Sequence, residues 1–194
     1  MIPHLREGYL LMNLFAHDAL NGLASWQAYF FYFMVYSFGG WLLENGASLI
    51  EKGHRKEDFL KGPFKPMYGL APMVIIFLRD AGVSWAWLVP LLFIVPTAVE
   101  YVSGALLFNL FHRRWWDYTG LPLQINGHIC LIYTAIWGVL SLICLLVLQP
   151  GVIRLYDWAA SVWSYLVFPA VLFMLADLAV TVRSFRRGAR LAGA

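Results

Sequence analysis

Two stretches of this chain, Trp85 to Phe111 and Ile129 to Leu148, carry a single charged side chain between them, Glu100. At 1.5 Å per helical residue, each reaches the roughly 30 Å of a bilayer's hydrocarbon core. A soluble domain of 194 residues can bury a core, but it cannot hide two such runs. Composition agrees, with 61% hydrophobic and 13% charged residues, against roughly 25% charged in an ordinary soluble domain. The expected fold class is all-α, a polytopic transmembrane helix bundle.

Apolar runs with punctuated ends predict about five spans: 27 to 50, 66 to 82, 85 to 111, 129 to 149 and 158 to 182. The second is expected to be short or broken, because it contains Gly69 and Pro72 and ends at Arg79-Asp80. Residues 1 to 26 read as an N-terminal interfacial segment, 27 to 183 as one transmembrane bundle, and 184 to 194 as a basic cytoplasmic tail. No basic segment leads directly into an apolar core at the N-terminus, so the first span is expected to serve as the targeting signal.

Lysine and arginine set the orientation. With five spans and an outside N-terminus, the cytoplasmic segments hold Lys52, Arg55, Lys56, Lys61, Lys65, Arg113, Arg114, Arg183, Arg186, Arg187 and Arg190. Only Arg6, Arg79 and Arg154 remain outside. This asymmetry predicts a multi-pass membrane protein with an outside N-terminus and a cytoplasmic C-terminus. The net charge of +3 follows from that topology and does not indicate nucleic-acid binding. Membrane lipids are the expected surroundings.

Glu44, Glu100 and Asp177 fall inside predicted spans. A charged residue at the centre of a membrane helix costs roughly 2.5 to 3.5 kcal/mol by the lower scales, so such groups face the bundle interior, find a partner or become protonated. Tyr36, Gly40, Glu44 and Ser48 share one helical face, as do Thr97, Glu100, Tyr101 and Gly104. These stripes predict a polar, cytoplasm-facing cavity around Glu44 and Glu100. The structural alternative pairs either acid with Arg113, Arg114 or a lysine of the first loop. Asp177 reads as structural, being within two turns of the basic tail.

The loop ending in Gly62-Pro-Phe-Lys-Pro-Met-Tyr-Gly69 favours a defined turn with Tyr68 at the membrane boundary. It reads either as a re-entrant lip over the cavity or as a rigid interfacial anchor. The loop from Arg113 to His128 mixes anion-binding and orienting groups. Arg114 can fork onto a carboxylate or phosphate, Asp117 can hold that guanidinium, and Asn126 offers donor and acceptor beside Gly127. His128 is a candidate proton carrier, and Trp115, Trp116 and Tyr118 fit an interfacial belt. Glu44, Glu100, Tyr68, Arg114, Asp117, Asn126 and His128 are therefore the candidate substrate-binding residues. Cys130 and Cys144, 14 positions apart, form no CxxC pair and cannot bridge within one helix. No metal, nucleotide or hydrolase motif is present, so no cofactor and no catalytic residue is assigned, and enzymatic activity is left open.

In order, these motifs are Gly40-Trp41, Glu44, Gly62-Pro63-Phe64, Pro66-Met67-Tyr68-Gly69, Glu100-Tyr101, Arg114-Trp-Trp-Asp-Tyr118, Asn126-Gly127 and Ile129-Cys130-Leu131. From about residue 30 to 145 the chain resembles the bacterial CmpB-like, ABC-transporter type IV membrane family. The resemblance implies a permease-type transport component, with any ATPase activity supplied by a separate subunit, and is compatible with a homodimer. His128 stands where the family usually has arginine, Ala71 replaces a glycine, and Leu123-Gln124 replace the usual Phe-Asn. An intramembrane lipid-handling enzyme, with Arg114 on a phosphate headgroup, and a non-catalytic assembly partner are the competing readings.

Overall fold

A computed structural model describes residues 26–54 and 58–192. The expected interfacial segment falls outside these residues apart from Trp26. Helix α1 spans Trp26–Lys52, α2 Pro66–Asp80, and α3 Trp85–Phe111. After a loop come strands β1 (Gln124–Ile125) and β2 (Ile129–Cys130), then α4 (Leu131–Ile143), a π-turn (Cys144–Leu148) and α5 (Gln149–Ala192).

The ends of these elements follow from local chemistry. Pro66 opens α2 with its φ already helical, and the preceding Lys65 is extended (φ −124°, ψ 102°), as a residue before proline prefers. The 15 residues of α2 reach about 22 Å, short of the hydrocarbon thickness, as the Gly/Pro content predicts. Helix α2 runs antiparallel to α1. The Lys65 amide donates to Ser37 O at 3.0 Å near one end, and the Tyr29 hydroxyl donates to Asp80 at 3.1 Å near the other. Helix α3 ends at His112, whose left-handed backbone (φ 52°) returns its amide to Phe108 O at 2.8 Å.

Close approach depends on small residues. A Cβ on Gly40 would strike the Tyr68 ring, and one on Gly69 would strike Phe33 O and Ser37 Oγ, so α1 and α2 meet backbone to backbone. The core between them centres on Tyr32, Ile75, Ile76, Leu88, Leu92 and Leu145.

Among the described residues, two stretches are long and apolar enough to cross a membrane, Trp85–Phe111 and Leu131–Arg187. Only 22% and 17% of their most apolar windows are buried inside the fold, so their apolar side chains face outward, where a soluble core helix would hide them. The expected break between spans 129 to 149 and 158 to 182 is absent. Helix continues through Gln149, Pro150 and Gly151 by way of the π-turn.

That helix cannot be straight. Its first residue, Leu131, directly follows the hairpin in which Trp116 Nε1 donates to His128 O at 2.9 Å. Near its far end, Phe185 stacks edge-on to Trp115, the neighbour of Trp116, with centroids 5.6 Å apart. A straight stretch of 57 residues would separate its ends by about 86 Å, so it must bend back toward its origin. The π-turn, Pro150 and Pro169 are the features on its path able to bend it. Asp177 fastens the returning arm to the first loop by accepting from the amides of Lys61 (3.3 Å) and Gly62 (3.1 Å).

Candidate functional site

Glu100 sits in the middle of α3 and is only 2% exposed. The Tyr118 hydroxyl donates to its Oε1 at 2.8 Å and the Trp137 indole N–H to its Oε2 at 3.0 Å. Both donors are neutral, and no salt bridge to Glu100 occurs among the described residues. The expected alternative, pairing with Arg113 or Arg114, is not realised. Neutral hydrogen bonds stabilise a carboxylate less than a cation does, so a proton or a cationic solute would gain most by binding here.

Glu44 takes the other course. It accepts from the Tyr68 hydroxyl and pairs with Lys65, a lysine of the first loop. Lys65 also reaches Asp58 Oδ1 at 2.7 Å, and Asn45 Nδ2 donates to Asp58 Oδ2 at 3.1 Å. Glu44 is thus paired with a lysine of the first loop, the partner that the structural alternative names. The Gly/Pro-rich segment before α2 brings Lys65 and Tyr68 to this face of α1.

The two carboxylates are linked through rings. The Tyr68 ring lies edge-on to Trp137 with centroids 5.4 Å apart, at an interplanar angle of 87°. Glu44, Tyr68, Trp137, Glu100 and Tyr118 thus form one contact chain, continued by Tyr133 stacked on Tyr118 at 4.6 Å. These rings occupy the space between the acids where an open cavity is expected. Two shallow crevices among the described residues lie elsewhere, one beside Arg113 and Arg114 and one beside the π-turn, and neither has room for a water molecule.

The motif loop folds as a small hairpin. Gln124 pairs with Cys130 and Ile125 with Ile129. Asn126 (φ 53°) and Gly127 (φ 72°) form the turn, closed by the His128 amide donating to Ile125 O at 3.0 Å. Two central residues at positive φ suit the type I′ turn, for which Asn-Gly is the preferred pair. The Asn-Gly signal was present in the sequence, which otherwise reads here as a polar loop.

Arg114 donates to Asp117 at 2.9 Å, as expected. The Thr119 backbone N–H, and after it Arg114, hold the Asp117 carboxyl below the usual carboxylate range. Asn126 Nδ2 donates to the Tyr101 hydroxyl at 3.0 Å, fixing the hairpin tip to α3. His128 is buried against Gly104, with its ring edge-on to Tyr101 at 5.8 Å. Burial, and after it Arg114, push its pKa down, so the imidazole is neutral. For Tyr118, burial and the neighbouring Glu100 carboxylate push the phenol up and keep it a donor.

Of the seven expected residues, Glu44 and Tyr68 join directly, and Glu100 connects to them through Trp137. Arg114, Asp117, Asn126 and His128 gather in and around the hairpin that covers Glu100. Sequence reading missed Trp137, Asp58 and the role of Tyr118. Trp137 lies 37 residues from Glu100, beyond the reach of any periodicity, although it falls on the tyrosine- and threonine-bearing part of α4.

No curated protein and no solved structure matches the chain. Residues 31–182, most of its length, match the family described as "Putative ABC-transporter type IV", and the chain belongs to that family.

Proposed function

We propose that this protein is a permease-like component of a membrane transport system, with Glu100 as the group that takes up a proton or a cationic part of the solute. The observation that carries this reading is a buried carboxylate held by two neutral donors inside an apolar helix. A charge left without a countercharge in hydrocarbon is costly, and function is the usual reason for keeping it. Separation of the Tyr68 and Trp137 rings would open a cytoplasm-facing cavity from Glu44 to Glu100. Lys65 can then keep its ion pair with Glu44 while Glu100 changes its occupancy.

Five crossings fit this reading, with the doubled-back helix supplying the last two and the basic residues placing the C-terminus in the cytoplasm. Family membership supports a separate ATPase subunit as the energy source and is compatible with a homodimer. Everted membrane vesicles loaded with cell extract test the proposal. Solutes that cross with the wild type are identified by mass spectrometry and then measured in Glu100→Gln. Loss of their flux at unchanged protein level is expected. Unchanged flux would reject the site.

A further inference from the structure

The last turns of α5 have two unlike faces. The inner one is fixed by Thr181, which is buried, and by Phe185, whose ring packs on those of Phe59, Phe111 and Trp115 with centroids 6.0, 5.2 and 5.6 Å away. At 100° per residue, Arg183, Arg186 and Arg187 fall on the opposite side, within an arc of about 100°. All three are exposed, and none makes an ion pair or a hydrogen bond among the described residues. The sequence from Leu178 to Ala192 holds no aspartate or glutamate, and Asp177 just before it is engaged by the amides of Lys61 and Gly62. Aromatic packing therefore sets the rotation of the helix, and that rotation turns three unneutralised charges outward.

The same outward strip runs back along the helix. At steps of three and four it reads Phe168, Leu172, Leu175, Ala179 and then the arginines, and the three large apolar side chains are each more than half exposed. Side chains suited to hydrocarbon thus give way, on one line, to cations at the level of the Phe185–Trp115 contact, which is the order in which a lipid presents its tails and its headgroup. Topology alone asks only that basic residues lie on one side of the membrane, not on one face of a helix. We propose that Arg183, Arg186 and Arg187 form a contact surface for anionic phospholipid headgroups in the leaflet at which α5 ends. A lipid whose tails lie along the apolar strip brings its phosphate to these arginines, and the negative surface of the leaflet supplies the countercharge that the fold lacks there. An acidic protein face would satisfy the charge but would make no use of the apolar strip. This surface is separate from Glu100 and does not depend on transport.

The full chain is reconstituted in nanodiscs of equal parts phosphatidylcholine and phosphatidylglycerol, and the lipids that stay on the released protein are counted by intact mass spectrometry. The wild type should retain phosphatidylglycerol in preference to phosphatidylcholine. Arg187→Gln alone should lower that preference about fivefold, the loss expected for one basic residue at an anionic surface, and the triple variant Arg183→Gln, Arg186→Gln, Arg187→Gln should lower it further. The matching triple lysine variant keeps the charge and should keep most of the preference. Because the three side chains are exposed, the melting temperature in detergent should stay close to wild type in every variant. A wild type that retains both lipids equally, a preference undiminished in the glutamine variants, or an equal loss in the lysine variant would overturn the proposal. An acidic protein that co-purifies with the wild type and is lost from the triple glutamine variant, while the lipid preference stays, would overturn it in favour of a protein partner.

Discussion

The hydroxyl of Tyr118 donates to Oε1 of Glu100 across 2.8 Å, joining the motif loop to an acid in the middle of a membrane helix. The loop therefore serves as a cover over Glu100. Any movement that exposes this carboxylate from the loop side must first break that bond, and the stack of Tyr118 on Tyr133 keeps the phenol in place.

Tyr118→Phe should therefore destabilise the fold by about 1 to 3 kcal/mol, since it leaves one oxygen of a buried carboxylate without a donor. Thermal unfolding in detergent measures the loss. Adding Glu100→Gln to Tyr118→Phe should recover part of it, because a neutral amide is less costly to leave unsatisfied than a charge. No recovery would mean that the phenol acts through packing alone.

Lys65 stands between Glu44 and Asp58, and its side chain is only 12% exposed. Lys65→Met should leave two acids facing each other with little water. The expected loss approaches the roughly 3 kcal/mol seen when one partner of a buried pair is removed. The triple variant with Glu44→Gln and Asp58→Asn should regain most of the melting temperature. Lys65→Met alone melting like wild type would show that the acids do not depend on that ammonium.

Gly127 combines a positive φ of 72° with contact on the Arg114–Asp117 pair, which an added Cβ would strike. Gly127→Ala should cost roughly 1 to 2 kcal/mol from the left-handed backbone alone, and more from the collision. Gly127→Asn tolerates the backbone angle but not the collision. Comparing their melting points separates the two effects, and wild-type stability in both variants would contradict the contact.

Acid should loosen the hairpin through His128. Its folded pKa is depressed below the ordinary value of about 6.5, so the unfolded chain binds the proton more readily and stability falls as pH drops below that value. Arg114 opposes protonation and Asp117 favours it, while Tyr101 and Phe108 supply the apolar walls. Asp117, also depressed, adds its own loss only at still lower pH, below about 3.8. Melting temperature followed from pH 7.5 to 5 should decline in the wild type and decline less in His128→Gln. Equal slopes would show that His128 does not set the dependence.

Helix α3 was legible to the residue, because an apolar run between Ser84 and His112 has one reading. The limits of α1 and α2 were nearly so. The continuous helix from Leu131 was not, since Gln149-Pro150-Gly151 followed by Arg154 and Asp157 reads as a break. A π-turn accommodates this passage by changing the hydrogen-bond register, and nothing in local propensity announces it. At the site, Glu100 and Gly104 on one face of α3 follow from spacing, as does the Arg114–Asp117 pair three residues apart. The partners of Glu100 do not, because Tyr118 and Trp137 arrive from different segments and only tertiary packing brings them together.

The π-turn at Cys144–Leu148 has a consequence for mapping helix faces. It holds one residue more than α-helical register requires, so every side chain beyond it is rotated by about 100° from where an unbroken count would put it. Gln149 meets the Tyr36 hydroxyl at 2.9 Å only with that offset in place. Removing a single residue from the wide turn would swing Gln149 away and re-aim the whole returning arm, while leaving the composition of the helix almost untouched.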